Sequence, residues 1–162
     1  MQQAIVQVYT KQIKEVEKQI LGLISNNEKL SNTFRLLKSI KGVGFIIAAY
    51  MICSTHNFTR FKNFHKFNCY AGLAPFTHES GSSIKGRPRV SHLANKTAKA
   101  LLNLAAFCSI RYDMEMKTYY QKRVAEGKSR MSCINIIRSK IVSRMFAVVK
   151  RQSPYQTLPL AA

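Results

Sequence analysis

In the stretch FTHESGSSIKGRPRV, Phe76 to Val90, three serines, Ser80, Ser82 and Ser83, stand just ahead of Lys85, Arg87 and Arg89. Hydroxyls beside cations are what phosphoryl transfer needs: an oxygen nucleophile, and positive charge for the non-bridging phosphate oxygens. An alcohol attacks poorly until a base or metal activates it, and His78 and Glu79 adjoin Ser80 as groups able to orient it. The same residues also suit a Ser/Gly-rich turn held by local hydrogen bonds, so residue types alone leave both readings open. A second constellation, Cys53-x-x-His56 followed by His65-x-x-x-Cys69, has zinc-ligand residue types. Packing explains it better, because Cys53 ends an apolar run while His65 and Cys69 sit among aromatics. With no C-x-x-C, the cysteines at 53, 69, 108 and 133 read as reduced, mostly buried small hydrophobes.

Whatever these residues do, they do it in a very basic chain. Its 162 residues carry 26 Lys plus Arg against 7 Asp plus Glu, a net charge of +19. Folding packs these like charges together, and a polyanion relieves the repulsion; nucleic acid does so best, through phosphate neutralisation and counterion release. An anionic membrane surface is the weaker candidate. The longest uncharged apolar run, GVGFIIAAYMIC, is about half of what a bilayer span needs. The N-terminus has no charged region followed by an apolar one, so the expected setting is cytoplasmic, without a membrane.

The elements that must position the loop are helical. Val6, Tyr9, Ile13, Val16, Ile20, Leu23, Asn27, Leu30, Phe34 and Leu37 alternate steps of three and four, a coiled-coil seam with Asn27 as a register-setting polar residue. The competing reading is an amphipathic helix packed on its own domain and broken at Ser25-Asn26-Asn27, since Ile5, Leu21 and Ile24 widen the stripe. Next, LLKSIKGVGFIIAAYMI has the form of a helix-hairpin-helix. Gly42 and Gly44 permit a sharp turn and close backbone approach to a phosphate, with Lys38 and Lys41 beside them. Phe58, Phe61, Phe64, Phe67 and Tyr70 recur at steps of three among Arg60, Lys62 and Lys66. They suit core packing better than base stacking. Beyond the loop, Leu93, Thr97, Leu101, Leu104 and Cys108 mark one amphipathic helix. A second is expected to end at Gly127, and Ile134, Ile137, Ile141, Met145 and Val148 mark the last. Arg138, Lys140, Arg144, Lys150 and Arg151 lie off that final stripe as a basic face.

The order SIKGVGFIIAAYMI, FTRFKNFHKFNCYAGLAP, HESGSSIKG, VSHLANKTAKALLNLAA, YYQKRVAEGKSRM and IIRSKIVSRMFAVVKRQSPY resembles the C-terminal domain of the serine-containing, four-carboxylate RuvC-like transposases of bacterial insertion sequences. These are relatives of the Piv-type DNA invertases. The resemblance implies a mainly α protein: a coiled-coil or dimerisation helix over 1–37, a transposase domain with a helix-hairpin-helix and a central loop over 38–155, and a tail over 156–162. It implies that Ser80, followed by Gly81, is the nucleophile of DNA strand exchange, with Ser82 and Ser83 as competitors. The expected nucleic-acid contacts are Lys38, Lys41, Gly42, Gly44, Lys85, Arg87, Arg89, Asn95, Lys96, Lys99, Arg138 and Arg144. Where the family opens the helix after the loop with Gly-Asn and an arginine, this chain has Ala94-Asn95-Lys96 and Lys99, and lysine lacks the bidentate fork. Family members hold magnesium on an N-terminal RuvC-like domain and use a guide RNA. This chain has one aspartate, Asp113, and no carboxylates paired for two-metal chemistry, Asp113 and Glu115 being expected to diverge on a helix.

The expectation is therefore a truncated transposase that binds DNA and self-associates through residues 6–37, inactive alone without the carboxylate domain. Its reactive loop is expected to be exposed, mobile without DNA, and poised beside the Gly-Val-Gly turn and the basic face of the following helix. Two other classes stay open: a non-catalytic nucleic-acid-binding module on the same scaffold, and a basic structural protein of a ribonucleoprotein.

Overall fold

The computed structural model describes residues 2–80 and 84–156, and for 77–80 and 84–89 the backbone only. In chain order the elements are α1 (Gln2–Ser25), α2 (Glu28–Lys38), α3 (Phe45–Ser54), α4 (Phe64–Tyr70), β1 (Phe76–Ser80), β2 (Ile84–Arg89), α5 (Lys96–Tyr112), α6 (Met114–Ala125) and α7 (Arg130–Arg151). The protein is mainly α. The expected central loop is a two-stranded antiparallel hairpin, in which Glu79 pairs with Lys85 and Ser80 with Ile84. Its Gly, Ser, Pro and charges are residues that strands disfavour, which is why the sequence reads as a loop.

α7 is the centre of the fold, packing against α2, α4, α5 and α6. Ile134, Ile137, Ile141, Met145 and Val148 are all buried on it, as their spacing predicts. They meet Leu36 and Leu37 of α2, Phe67 of α4, Leu102, Ala105 and Ala106 of α5 and Met116 of α6 in one core. The aromatic run also packs as expected. Phe67 is fully buried, with Phe61 edge-on to it at 5.3 Å between centroids, and Phe58 lies edge-on to Phe146 at 4.9 Å. Phe58 reaches that contact from a left-handed turn: His56, Asn57 and Phe58 all have positive φ, and the buried Thr55 Oγ1 accepts from Phe58 N–H at 2.9 Å.

Three sequence expectations need correction. The stripe assigned to α5 is the wrong face: Leu93 is 95% exposed, Leu104 and Cys108 are exposed, and the buried positions are Ala98, Leu102, Ala105, Ala106 and Ser109. Small residues let α5 approach its neighbours closely. The heptad is likewise not one helix. The backbone breaks at Asn26–Asn27, and Asn27, rather than setting a register, caps α2 by accepting from Leu30 N–H at 3.2 Å. In the second half of the seam Leu37 is buried in the core and Leu30 and Phe34 pack against it, while Val6, Tyr9, Ile13, Val16 and Leu23 on α1 stand more than half exposed. Cysteine burial was also over-read, since Cys133 is buried while Cys53 and Cys108 are exposed. Among the described residues no cluster of His, Cys, Asp or Glu is placed to hold a metal ion, so the Cys53, His56, His65 and Cys69 spacing closes no zinc site.

Candidate nucleic-acid interface

The Gly-Val-Gly turn joins α2 to α3 as a helix-hairpin-helix, and its two glycines do different jobs. Gly42 has φ +94°, and a Cβ there would lie 2.2 Å from Ser109 Oγ and 2.6 Å from the Ala105 carbonyl oxygen. Its close approach is to α5, and the buried Ser109 hydroxyl seals the contact by donating to the Lys41 carbonyl at 2.7 Å. Gly44, the exposed N-cap of α3 at φ −86°, has no atom within 4 Å of an added Cβ. Gly42→Ala is therefore expected to destabilise the fold by about 2–4 kcal/mol, from left-handed strain plus overpacking. Gly44→Ala should leave the denaturant midpoint almost unchanged. Lys38 and Lys41 are exposed beside this turn, Lys38 lying 5.8 Å from the Phe34 ring centre.

The hairpin places Ser80 as the last paired residue of β1, with Lys85, Arg87 and Arg89 on β2. Gly81, Ser82 and Ser83 lie outside the described residues. The hairpin springs from the other end of α5. At Gly72, just before it, a Cβ would come within 2.6 Å of Ala94 and 3.0 Å of Val90, while the Gly-Val-Gly turn sits against Ser109. The ten steps of helix from Lys99 to Ser109 span roughly 15 Å, so the base of the hairpin and the turn lie at opposite ends of α5.

What adjoins the base of the hairpin is a cleft of about 920 Å³ between α4, α5 and the start of α7, lined also by Leu73, Ala74, Pro75 and Val90. Lys99 and Arg138 meet there, joined by Lys128, which the sequence reading did not single out. Arg138 is 4% exposed, so the residue expected on a solvated basic face is buried. Its guanidinium donates to Asn103 Oδ1 and, at 3.4 Å, to Asn135 Oδ1, while its Nε has no partner among the described residues. Burial pulls the Arg138 guanidinium below its ordinary pKa. Two asparagines share the wall. Asn135 donates to the Leu73 carbonyl at 2.8 Å, and Asn68 donates to Ser139 Oγ at 2.8 Å while its own buried Oδ1 has no partner among the described residues. Asn68, Asn103 and Asn135 went unnoticed because an isolated asparagine carries no periodic signal.

Two other sequence candidates serve the scaffold. Asn95 caps α5 by accepting from Ala98 N–H at 2.8 Å, donates to Tyr70 Oη at 2.6 Å and accepts from Tyr50 Oη at 3.1 Å. Burial pushes the Tyr50 phenol pKa up, keeping it a neutral donor to Asn95. Arg144 is clamped between Asp113 at 2.7 Å and Glu115 at 2.6 Å and stacks on Tyr155, 4.4 Å from the ring centre. The two carboxylates converge instead of diverging because Asp113 is the N-cap of α6, outside the helix proper. Lys96, exposed in the first turn of α5, stays solvent-facing.

The family described as "Transposase IS116/IS110/IS902 family" matches residues 34–121, more than half of the chain. The chain belongs to this transposase family. The matched segment runs from α2 into α6 and takes in the Gly-Val-Gly turn and the hairpin with Ser80. The chain is 30% identical over 122 residues to the insertion element IS110 uncharacterized 43.6 kDa protein of Streptomyces coelicolor, covering 75% of this chain and 30% of that protein. It is 24% identical over 144 residues to the pilin gene-inverting protein of Moraxella bovis, covering 88% of this chain and 45% of the relative. The chain thus spans less than half the length of these relatives. No helix among the described residues is long and apolar enough to cross a membrane.

Proposed function

We propose that the chain is the DNA-binding part of an insertion-sequence transposase and carries the strand-exchange nucleophile, Ser80. Family membership, with Ser80 the last paired residue of a hairpin that rises beside a cleft lined by Lys99, Lys128 and Arg138, is the observation that carries this reading. In the step proposed, Ser80 Oγ bonds to the scissile phosphorus, one bridging P–O bond breaks, and the proton ends on the departing strand oxygen. The chain joined to serine conserves the ester energy for the reverse attack. Magnesium does not fit the described residues: Asp113 and Glu115 are engaged by Arg144, and no other acidic cluster exists among them. The carboxylates that activate Ser80 are assigned to a RuvC-like domain, and guide RNA to the full assembly. Binding is carried by exposed Lys38, Lys41 and Lys96, by Lys99 and Arg138 of the cleft, and by the hairpin positions Lys85, Arg87 and Arg89.

Binding to phosphates has a direct test. Log affinity for duplex DNA should fall linearly with log salt, by about 0.9 for each phosphate neutralised. A salt-independent affinity would sink the reading.

Self-association is assigned to α1, whose apolar residues Ile5, Val6, Tyr9, Ile13 and Val16 are exposed and lie outside the core formed by the described residues. Two copies pairing along this stripe would bury it, and strand exchange needs two DNA ends brought together. Removal of residues 2–25 should convert a dimer into a monomer in sedimentation; a full chain monomeric at high concentration would rule the assignment out.

A further inference from the structure

We propose that the cleft between residues 58–64, which lead into α4, and the C-terminal half of α7 seats one unpaired base of a nucleic-acid strand. The base stacks among Phe58, Phe61, Phe64 and Phe146 while the phosphates beside it rest on Lys62 and Lys150. The inference rests on the reading of the chain as a nucleic-acid-binding protein and adds what phosphate contacts cannot give, a place for a base.

Three observations lead there. The cleft holds about 470 Å³, within the range of small-molecule sites, and four phenyl rings line it. Those rings are half-buried: each packs against the core, yet none is sealed in it as Phe67 is, so all four stay accessible where they line the cleft. Phe58 and Phe146 brace one another edge-on, and Phe61 is braced by Phe67, which fixes the walls before a ligand arrives. Lys62 and Lys150 are exposed at the same cleft, and no acidic residue lines it among the described ones. Ser143 and Asn63 add a hydroxyl and an amide for the edge of a bound ring.

Rings and charge together decide the occupant. An apolar side chain of a partner protein would use the rings and not the two lysines; a bare phosphate would use the lysines and not the rings. A nucleotide supplies both, a flat ring for stacking and a phosphate on either side of it. Inside a duplex the faces of a base are already stacked on its neighbours, so the base that enters here is one out of the stack. The interleaved phenylalanines and cations of residues 58–64 thereby serve the core with one side and a ligand with the other.

The test compares a short oligothymidine with an abasic oligomer of the same length and charge. Each is added at constant ionic strength to the isotope-labelled full chain while the phenylalanine ring resonances are followed. Oligothymidine should bind about ten-fold more tightly than the abasic strand and shift the Phe64 and Phe146 rings, because stacking adds a base-dependent contribution to the phosphate contacts. The abasic strand should leave those rings unshifted. Ala147→Phe, which fills the cleft and removes no charge, should erase the ten-fold preference and leave a salt-dependent affinity for both strands. Equal affinities or equal ring shifts for the two strands, or a preference that survives Ala147→Phe, would overturn the proposal. The ring shifts of the unchanged chain decide the matter even where Ala147→Phe fails to fold. An acidic, phenylalanine-containing peptide that shifts the rings when oligothymidine does not would give the cleft to a protein partner and overturn the base. Duplex affinity measured on the same samples separates the two readings: a chain that holds duplex DNA yet treats both single strands alike loses only the cleft proposal, whereas one that holds neither loses both.

Discussion

Ser80→Ala is expected to abolish covalent attachment of DNA completely while leaving duplex affinity within about two-fold of the unchanged chain. The assay needs the chain together with a RuvC-like carboxylate domain, magnesium, guide RNA and DNA, and reads a protein–DNA adduct that survives denaturation. The asymmetry between attachment and binding is the point. The substitution removes one oxygen, the only atom the step asks of this residue, whereas affinity is spread over many phosphate contacts. An adduct that persists in Ser80→Ala and vanishes in Ser82→Ala or Ser83→Ala would move the nucleophile along the sequence. If no adduct forms with any of the reconstituted chains, the domain is a binding module only.

Arg144→Ala is expected to remove about 3–5 kcal/mol of stability, the usual result of deleting one partner of a buried ion pair. Asp113, 1% exposed, would lose the charge that compensates it, and the stack on Tyr155 would go with it. For a chain of this length the loss corresponds to a midpoint lowered by roughly 10 °C in thermal unfolding. Arg123→Ala supplies the control. Arg123 pairs with Glu126 at a comparable 2.8 Å but in the open, where side-chain freedom and screening cancel most of the attraction, so no measurable change is expected. A small effect at Arg144 would mean that water reaches Asp113 in solution.

Both predictions rest on residues that the sequence revealed unequally. α7 was legible because Ile134, Ile137, Ile141, Met145 and Val148 are large, apolar and spaced for one face. α5 was misread for the opposite reason: its contact face is built from Ala98, Ala105, Ala106 and Ser109, which hydropathy patterning barely registers, while Leu93 and Leu104 stand in solvent. Pairing of β1 with β2 depends on backbone hydrogen bonds, to which Gly86 and Pro88 give no clue. Of the site, the order of motifs exposed Ser80 and the basic surroundings. It could not show that Arg138 turns inward and Arg144 is neutralised, because both occupy off-stripe positions and differ only in what packs across from them. Gly42 stands out in the sequence as a turn residue, and the structure adds its closeness to α5, which periodicity cannot show.

The central place of α7 governs how the protein is made as well as how it is held. Every helix from α2 to α6 except α3 has its main partner or one of its partners on residues 130–151, which leave the ribosome after all of them. Residues 2–129 therefore emerge with their apolar faces uncovered, and at about 5–20 residues per second the final helix follows some seconds behind the first. Local helices and the α2–α3 hairpin form meanwhile, since they need only near neighbours, but the core closes as one late event when Ile137, Ile141 and Met145 arrive. A ribosome stalled before residue 130 would hold a chain that has its helices but not its fold, a substrate for chaperones and proteases rather than for DNA.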